Sequence, residues 1–227
     1  MAYRHIFTLI IVAFFTNAIA HSQDFPNKKT ALQVLEQAER TIGNPLSSEH
    51  NEEKYLNVLK LVCTSEQLSD FDKQRPVLLL ADALKNRVGS KAADIEYITP
   101  SSNNTLHIYD IKAPLTLIYF NDPDCEACEM VKSRLDTCST LKSLAENNKI
   151  EIVGIYTQSD EQAWRNAKFP TFIINGWNKN QEIENTETYT LPTLPLFYLL
   201  DADKKVLLKA EASLNKVINY LLTDNIK

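Results

Sequence analysis

Two cysteines, Cys125 and Cys128, lie in the segment Asn121-Asp122-Pro123-Asp124-Cys125-Glu126-Ala127-Cys128. A thiol pair at this C-x-x-C spacing can open and close a disulfide, because positions i and i+3 share one face of a helical turn. An apolar run over 115–120 leads into the segment and a helical pattern follows from about 125 to 147. That places the pair where a buried strand ends and a helix begins. Free N–H groups and the positive helix end would stabilise a thiolate on Cys125, the more exposed member. Cys128, one turn further in, is expected to be shielded. Cys125 would attack a substrate disulfide, and Cys128 would then attack the mixed disulfide and free the product. The same pair is compatible with an inert disulfide or with half of a zinc site, which needs about four ligands. Cys63, Cys138 and scattered histidines are the other candidate ligands, and no second C-x-x-C is present.

Local charge opposes the helix end. Asp122, Asp124, Glu126 and Glu129 all lie within four residues of Cys125. Each carboxylate, at ~8 Å and an effective dielectric of ~40, disfavours a thiolate by about 1 kcal/mol before salt screening. A helix end contributes ~0.3–2 kcal/mol in the other direction. Strong oxidants depend on a much-stabilised thiolate, so this pair reads as a reductant or a slow exchanger. Glu126 is also a candidate for proton transfer to or from a thiol. Its plainer reading is a solvated acid at a helix start.

The elements that must position the pair follow from periodicity. Ala31, Leu35, Ala38 and Ile42 fall at helical spacing, as do Tyr55, Leu56, Leu59 and Val62. A third helix is expected from about 75 to 88, with Pro76 in its first turn. Residues 21–90 therefore read as a small helical subdomain. Beyond Gly89 the pattern becomes mixed. Segments 94–97 and 105–109 flank a turn and predict a hairpin. Strands are expected at 115–120, 150–156, 195–200 and 205–209, with helices at 160–168 and 214–222. The stretch from Phe169 to Asn180 reads as a long loop. This order implies an α/β domain over 91–227, a mixed sheet flanked by helices.

Composition bounds the function. The chain has 227 residues, enough for one large domain or two small ones. Only four glycines occur, at 43, 89, 154 and 176, so no phosphate-cradling glycine motif can be assembled. A net charge of −5 argues against a nucleic-acid partner. Residues 1–20 have the form of a signal peptide: Arg4 near the start, an apolar run over 6–15, and Asn17-Ala18-Ile19-Ala20 before the expected cleavage. The run is too short to span ~30 Å of hydrocarbon. No other apolar stretch approaches ~18 residues, so no stable membrane insertion is expected after cleavage. The cysteines are then expected to work outside the cytoplasm, in the periplasm or an equivalent space where disulfides form.

Residues 91–227 resemble the exported thioredoxin-like domains of the TlpA/ResA type. The resemblance rests on the hairpin, the strand leading into Asp-Pro-Asp-Cys-Glu-Ala-Cys, and Asp160 and Trp164 on a later helix. It continues through Tyr189 and the run Leu191-Pro192-Thr193-Leu194-Pro195-Leu196-Phe197-Tyr198. It implies a thioredoxin-like fold, a Cys125–Cys128 redox pair and a cis-proline at Pro195 facing it. It also implies that the backbone of Leu194 meets an extended substrate segment. Cys-Glu-Ala-Cys departs from the family's Cys-Glu-Pro-Cys at Ala127, and Tyr119 stands where thioredoxin buries an aspartate. The function implied is thiol–disulfide exchange on protein substrates, without metal or organic cofactor, recharged by a membrane-bound redox partner. The alternatives are a non-catalytic envelope-binding module on the same scaffold and thiol-based metal handling. Cys63 and Cys138 read either as two small buried thiols or as a disulfide between the two parts.

Overall fold

Side-chain caps set the first three helices of the described residues. The computed structural model describes residues 24–223, so the signal-peptide reading of 1–20 lies outside the described residues. The chain divides into two units, Met1–Leu84 and Lys85–Lys227. In the first, Asn27 Oδ1 accepts the Thr30 N–H at 3.0 Å and opens α1 (Lys28–Arg40). Asn51 Oδ1 accepts the Lys54 N–H at 2.9 Å and opens α2 (Glu52–Thr64). Ser69 and Asp72 cap each other reciprocally at the start of α3 (Asp70–Ala83). Each cap satisfies N–H groups that have no partner inside the helix. Phe25, Leu35, Ala38, Leu59, Val62 and Leu68 bury the faces these helices share.

The third helix thus begins five residues before the expected Arg75, and Pro76 lies inside it rather than in its first turn. The Ser69–Asp72 capping box fixes that start and outweighs the proline. The helix also ends at Ala83, because the chain beyond it turns into the second unit. Gly89 N–H donates to the Val206 carbonyl at 2.8 Å, and Val88 and Lys91 bridge Val206 and Lys205.

The second unit is a seven-stranded mixed sheet. Its strands are β1 (Glu96–Thr99), β2 (Ser102–His107), β3 (Leu115–Asn121), β4 (Ile150–Tyr156), β5 (Ile173–Trp177), β6 (Leu196–Leu200) and β7 (Val206–Glu211). Their spatial order is β2-β1-β5-β4-β3-β6-β7. β3, β4 and β5 are parallel, while β1–β2 and β6–β7 are antiparallel hairpins on either side. All seven residues of β3 are buried, as a strand covered on both faces requires. Leu117 and Tyr119 point to one face, and Ile118 and Phe120 to the other. On the Tyr119 face lie Leu135 of α4 (Glu126–Thr137), Leu141 of α5 (Ser139–Glu146), and Leu214, Val217 and Leu221 of α8 (Leu214–Leu222). The helical pattern expected over 125–147 is broken at Cys138, whose ψ of 98° ends α4 and caps α5.

The segment read as a loop between Phe169 and Asn180 contains β5. It runs parallel to β4 from Ile152↔Ile173 to Tyr156↔Trp177. Asn175 and Gly176 hide it, being residue types depleted in strands. Gly176 is there for room: a Cβ would lie 3.0 Å from Ile155 Cδ1 and 3.1 Å from the Gly154 carbonyl oxygen. Two short helices, α6 (Glu161–Asn166) and α7 (Glu182–Thr186), complete the unit.

His107 closes the hairpin electrostatically. Its Nδ1 lies 2.8 Å from Asp94 Oδ2, and this carboxylate holds the imidazole above its ordinary range. A histidine raised in the folded state stabilises it fully below the unfolded value of about 6.5. That contribution disappears as pH climbs through the higher folded value. His107→Gln should therefore lower the melting temperature at pH 5.5 and leave it nearly unchanged at pH above 8. A deficit of equal size across that range would contradict the ion pair.

Candidate active site

β3 delivers the chain to one end of the sheet, and a short turn aims it into α4. Asp122 Oδ1 accepts the Asp124 N–H at 2.9 Å, and the Cys125 N–H donates to the Asp122 carbonyl at 3.1 Å. Cys125 is the N-cap of α4, and its Sγ accepts the Cys128 N–H at 3.4 Å. A sulfur therefore takes the place usually filled by a serine or aspartate oxygen at a helix start. The two thiols differ in access. Cys125 is half-buried, while Cys128 is only 2% exposed. Burial, joined by a hydrogen bond with the Cys125 side chain, pushes the Cys128 thiol up to about 12. All four cysteines are free thiols, Cys63 and Cys138 included.

Strand register brings a second segment to the same end. β6 runs antiparallel to β3 with Leu196 opposite Phe120, so Pro195 falls level with Asn121, next to the turn that carries Cys125. The Leu194–Pro195 peptide bond is cis. Leu194 is partly buried against the core on the Phe120 face. Glu126 is exposed in the first turn of α4. The carboxylates converge here too. The Tyr156 hydroxyl, at the end of β4, is raised by burial and then by the charges of Asp122, Asp160 and Asp124.

The large aromatics near this end are packed within the fold. Trp164 is fully buried 5.0 Å from Trp177, whose Nε1 donates to the Gln158 carbonyl at 2.8 Å. Tyr189 donates to the Ala93 carbonyl at 2.6 Å. Two further residues shape the site from below. Asn121 is buried and donates to the Tyr119 and Ile155 carbonyls, tying the ends of β3 and β4 together. The Tyr119 hydroxyl donates to the Cys128 carbonyl at 2.7 Å and pins the first turn of α4 to the sheet. Alternation along β3 places Tyr119 on the helix face, but a hydroxyl reaching a carbonyl leaves no trace in sequence. Among the described residues, no group of three or more His, Cys, Asp or Glu side chains could hold a metal ion. No helix among them is long and apolar enough to cross a membrane.

An N-terminal hairpin, a mixed sheet with parallel centre, a C-x-x-C at a helix start and a cis-proline at the same sheet end define the thioredoxin-like class. A thioredoxin-like protein from Bacteroides caccae is 31% identical, with a TM-score of 0.83 over 88% of this chain and 72% of its own. The chain belongs to the thioredoxin-like proteins. The C-terminal domain of an uncharacterized protein from Bacteroides fragilis is 33% identical, covering 60% of this chain and 97% of its own, with a TM-score of 0.57. A domain of a possible thiol-disulfide isomerase from Cytophaga hutchinsonii shares the fold at 20% identity, covering 61% of this chain and 93% of its own, with a TM-score of 0.52. No protein-family model and no curated protein matches the chain.

Proposed function

We propose that the protein is an exported thiol–disulfide oxidoreductase of the TlpA/ResA type that acts on protein substrates. The observation that carries this reading is the asymmetry of the pair: an accessible Cys125 at the helix cap and a buried Cys128 hydrogen-bonded to it. Cys125 attacks a substrate disulfide and Cys128 resolves the mixed disulfide. Leu194 and Pro195 border the site and offer extended backbone to the substrate chain. Glu126, exposed beside Cys125, serves as a solvent-side proton carrier. The acids around the site favour a reductant. A reductant in an exported compartment needs electrons from the cytoplasm, so a membrane-bound donor recharges it. The pattern of residues 1–20 supports export.

The test is reduction of insulin disulfides with dithiothreitol as electron source. Wild type should accelerate the reaction catalytically. Cys125→Ser should bring the rate down to that of dithiothreitol alone. A Cys125→Ser protein as active as wild type would end this reading.

A further inference from the structure

Tyr119 is fully buried beneath the first turn of α4. Its ring stacks on Phe197 at 5.1 Å, which fixes the direction of the hydroxyl, while Phe169 only meets its edge at 6.5 Å. That hydroxyl donates to the Cys128 carbonyl at 2.7 Å, on the residue that also carries the resolving sulfur. Burial, then the charges of Cys128, Cys125 and Glu129, push Tyr119 far above the ordinary phenol range. It therefore keeps its proton and remains a donor. In an α-helix the Cys128 carbonyl also accepts the Lys132 N–H, so it is not orphaned when the tyrosine turns away.

The resolving step needs such a donor. Cys128 must become a thiolate while almost wholly shielded from water, and burial strongly disfavours that charge. In the mixed disulfide the Cys125 sulfur is bonded to substrate and is neutral. The charged groups around Cys128 and Tyr119 are Asp122 and Glu129, which make a thiolate harder to form, and Lys132, which pairs with Glu129 and lies over the Phe169 ring. Besides Tyr119, the backbone N–H of Asp122 reaches Cys128.

We propose that the Tyr119 hydroxyl turns from the Cys128 carbonyl to the Cys128 sulfur during resolution and stabilises the thiolate that attacks. The inference rests on the thiol–disulfide reading above. In the step, Cys128 S–H gives up its proton and its sulfur lone pair forms the bond to Cys125 Sγ. The bond between Cys125 Sγ and the substrate sulfur breaks, and its electron pair leaves with the substrate. The leaving thiolate takes up the proton, so one mixed disulfide and one thiol become one intramolecular disulfide and one thiol.

The test uses the full chain carrying Cys63→Ser and Cys138→Ser, mixed in excess with 5,5′-dithiobis(2-nitrobenzoate). Attack by Cys125 releases one coloured thiolate, and resolution by Cys128 releases a second. Tyr119→Phe keeps the ring and removes the donor. It should leave the first phase unchanged and slow the second by about tenfold or more, the scale of a hydrogen bond to a charged group. The pH profile of the second phase should move upward. Phe169→Leu, which disturbs packing but keeps the hydroxyl, should leave that profile in place. A second phase unchanged by Tyr119→Phe overturns the inference, as does an equal effect of Phe169→Leu. If Tyr119→Phe does not fold, 3-fluorotyrosine at position 119, a stronger donor of similar size, should speed the second phase, and no change overturns the inference. Absence of the first phase in the parent protein would instead overturn the oxidoreductase reading.

Discussion

Cys128→Ser should leave a protein that attacks disulfides and stays attached to them. Cys125 remains at the helix cap, half-buried and open to a substrate sulfur, while the shielded thiol that would release the product is gone. Mixed disulfides should then persist for minutes to hours, the timescale of uncatalysed disulfide rearrangement. Non-reducing gels of the variant incubated with oxidised protein should show adducts that reductant removes. The double variant with Cys125→Ser should show none. Turnover of insulin should fall towards the background of dithiothreitol. Adducts that form equally in wild type, or turnover that survives the substitution, would contradict the division of labour between the two cysteines.

Phe120→Ala should have the largest effect on stability. Phe120 is fully buried on β3, the interior strand that carries the chain to Cys125. Its ring lies 5.3 Å from Tyr189 and 5.8 Å from Tyr198, and these two meet edge-to-face at 5.0 Å. Truncation removes the ring that joins Tyr189 and Tyr198 and leaves a cavity in the core. Such changes cost ~3–5 kcal/mol, against a whole-domain stability of ~5–15 kcal/mol. Urea unfolding should show the midpoint displaced accordingly with an unchanged slope. A loss below about 1 kcal/mol would mean that the site collapses around the missing ring.

Much of this was legible in the residues. Apolar runs at 115–120 and 150–156 are continuous because both strands are covered on two faces, and both strands form there. The amphipathic stretch at 214–222 becomes α8, opened by the Ser213 hydroxyl accepting the Lys216 N–H. Cys-x-x-Cys after a buried strand placed the site at a helix start, and α4 begins there. What stayed hidden had physical reasons. β5 is five residues long and holds Asn175 and Gly176, so propensity speaks against it. It exists because β4 and β1 need a strand between them. The start of α3 was masked by Pro76, whose preference for a first turn is weaker than a complete capping box that begins seven residues earlier. The link between Tyr119 and Cys128 depends on how closely α4 packs on β3, which no local pattern encodes.

The redox couple proposed here joins Cys125 and Cys128. It is tested most directly by equilibrating the protein in glutathione or dithiothreitol buffers of graded potential, then alkylating free thiols and mapping them by mass spectrometry. Cys125 and Cys128 should lose their thiols together in one two-electron transition, while Cys63 and Cys138 stay alkylated throughout. The acidic surroundings of the pair place the expected midpoint near or below about −250 mV, in the range of reductants such as thioredoxin at ~−270 mV. A reversible midpoint near −120 to −180 mV would overturn the reductant assignment. A pair that remains as two thiols at every potential would contradict the redox function itself.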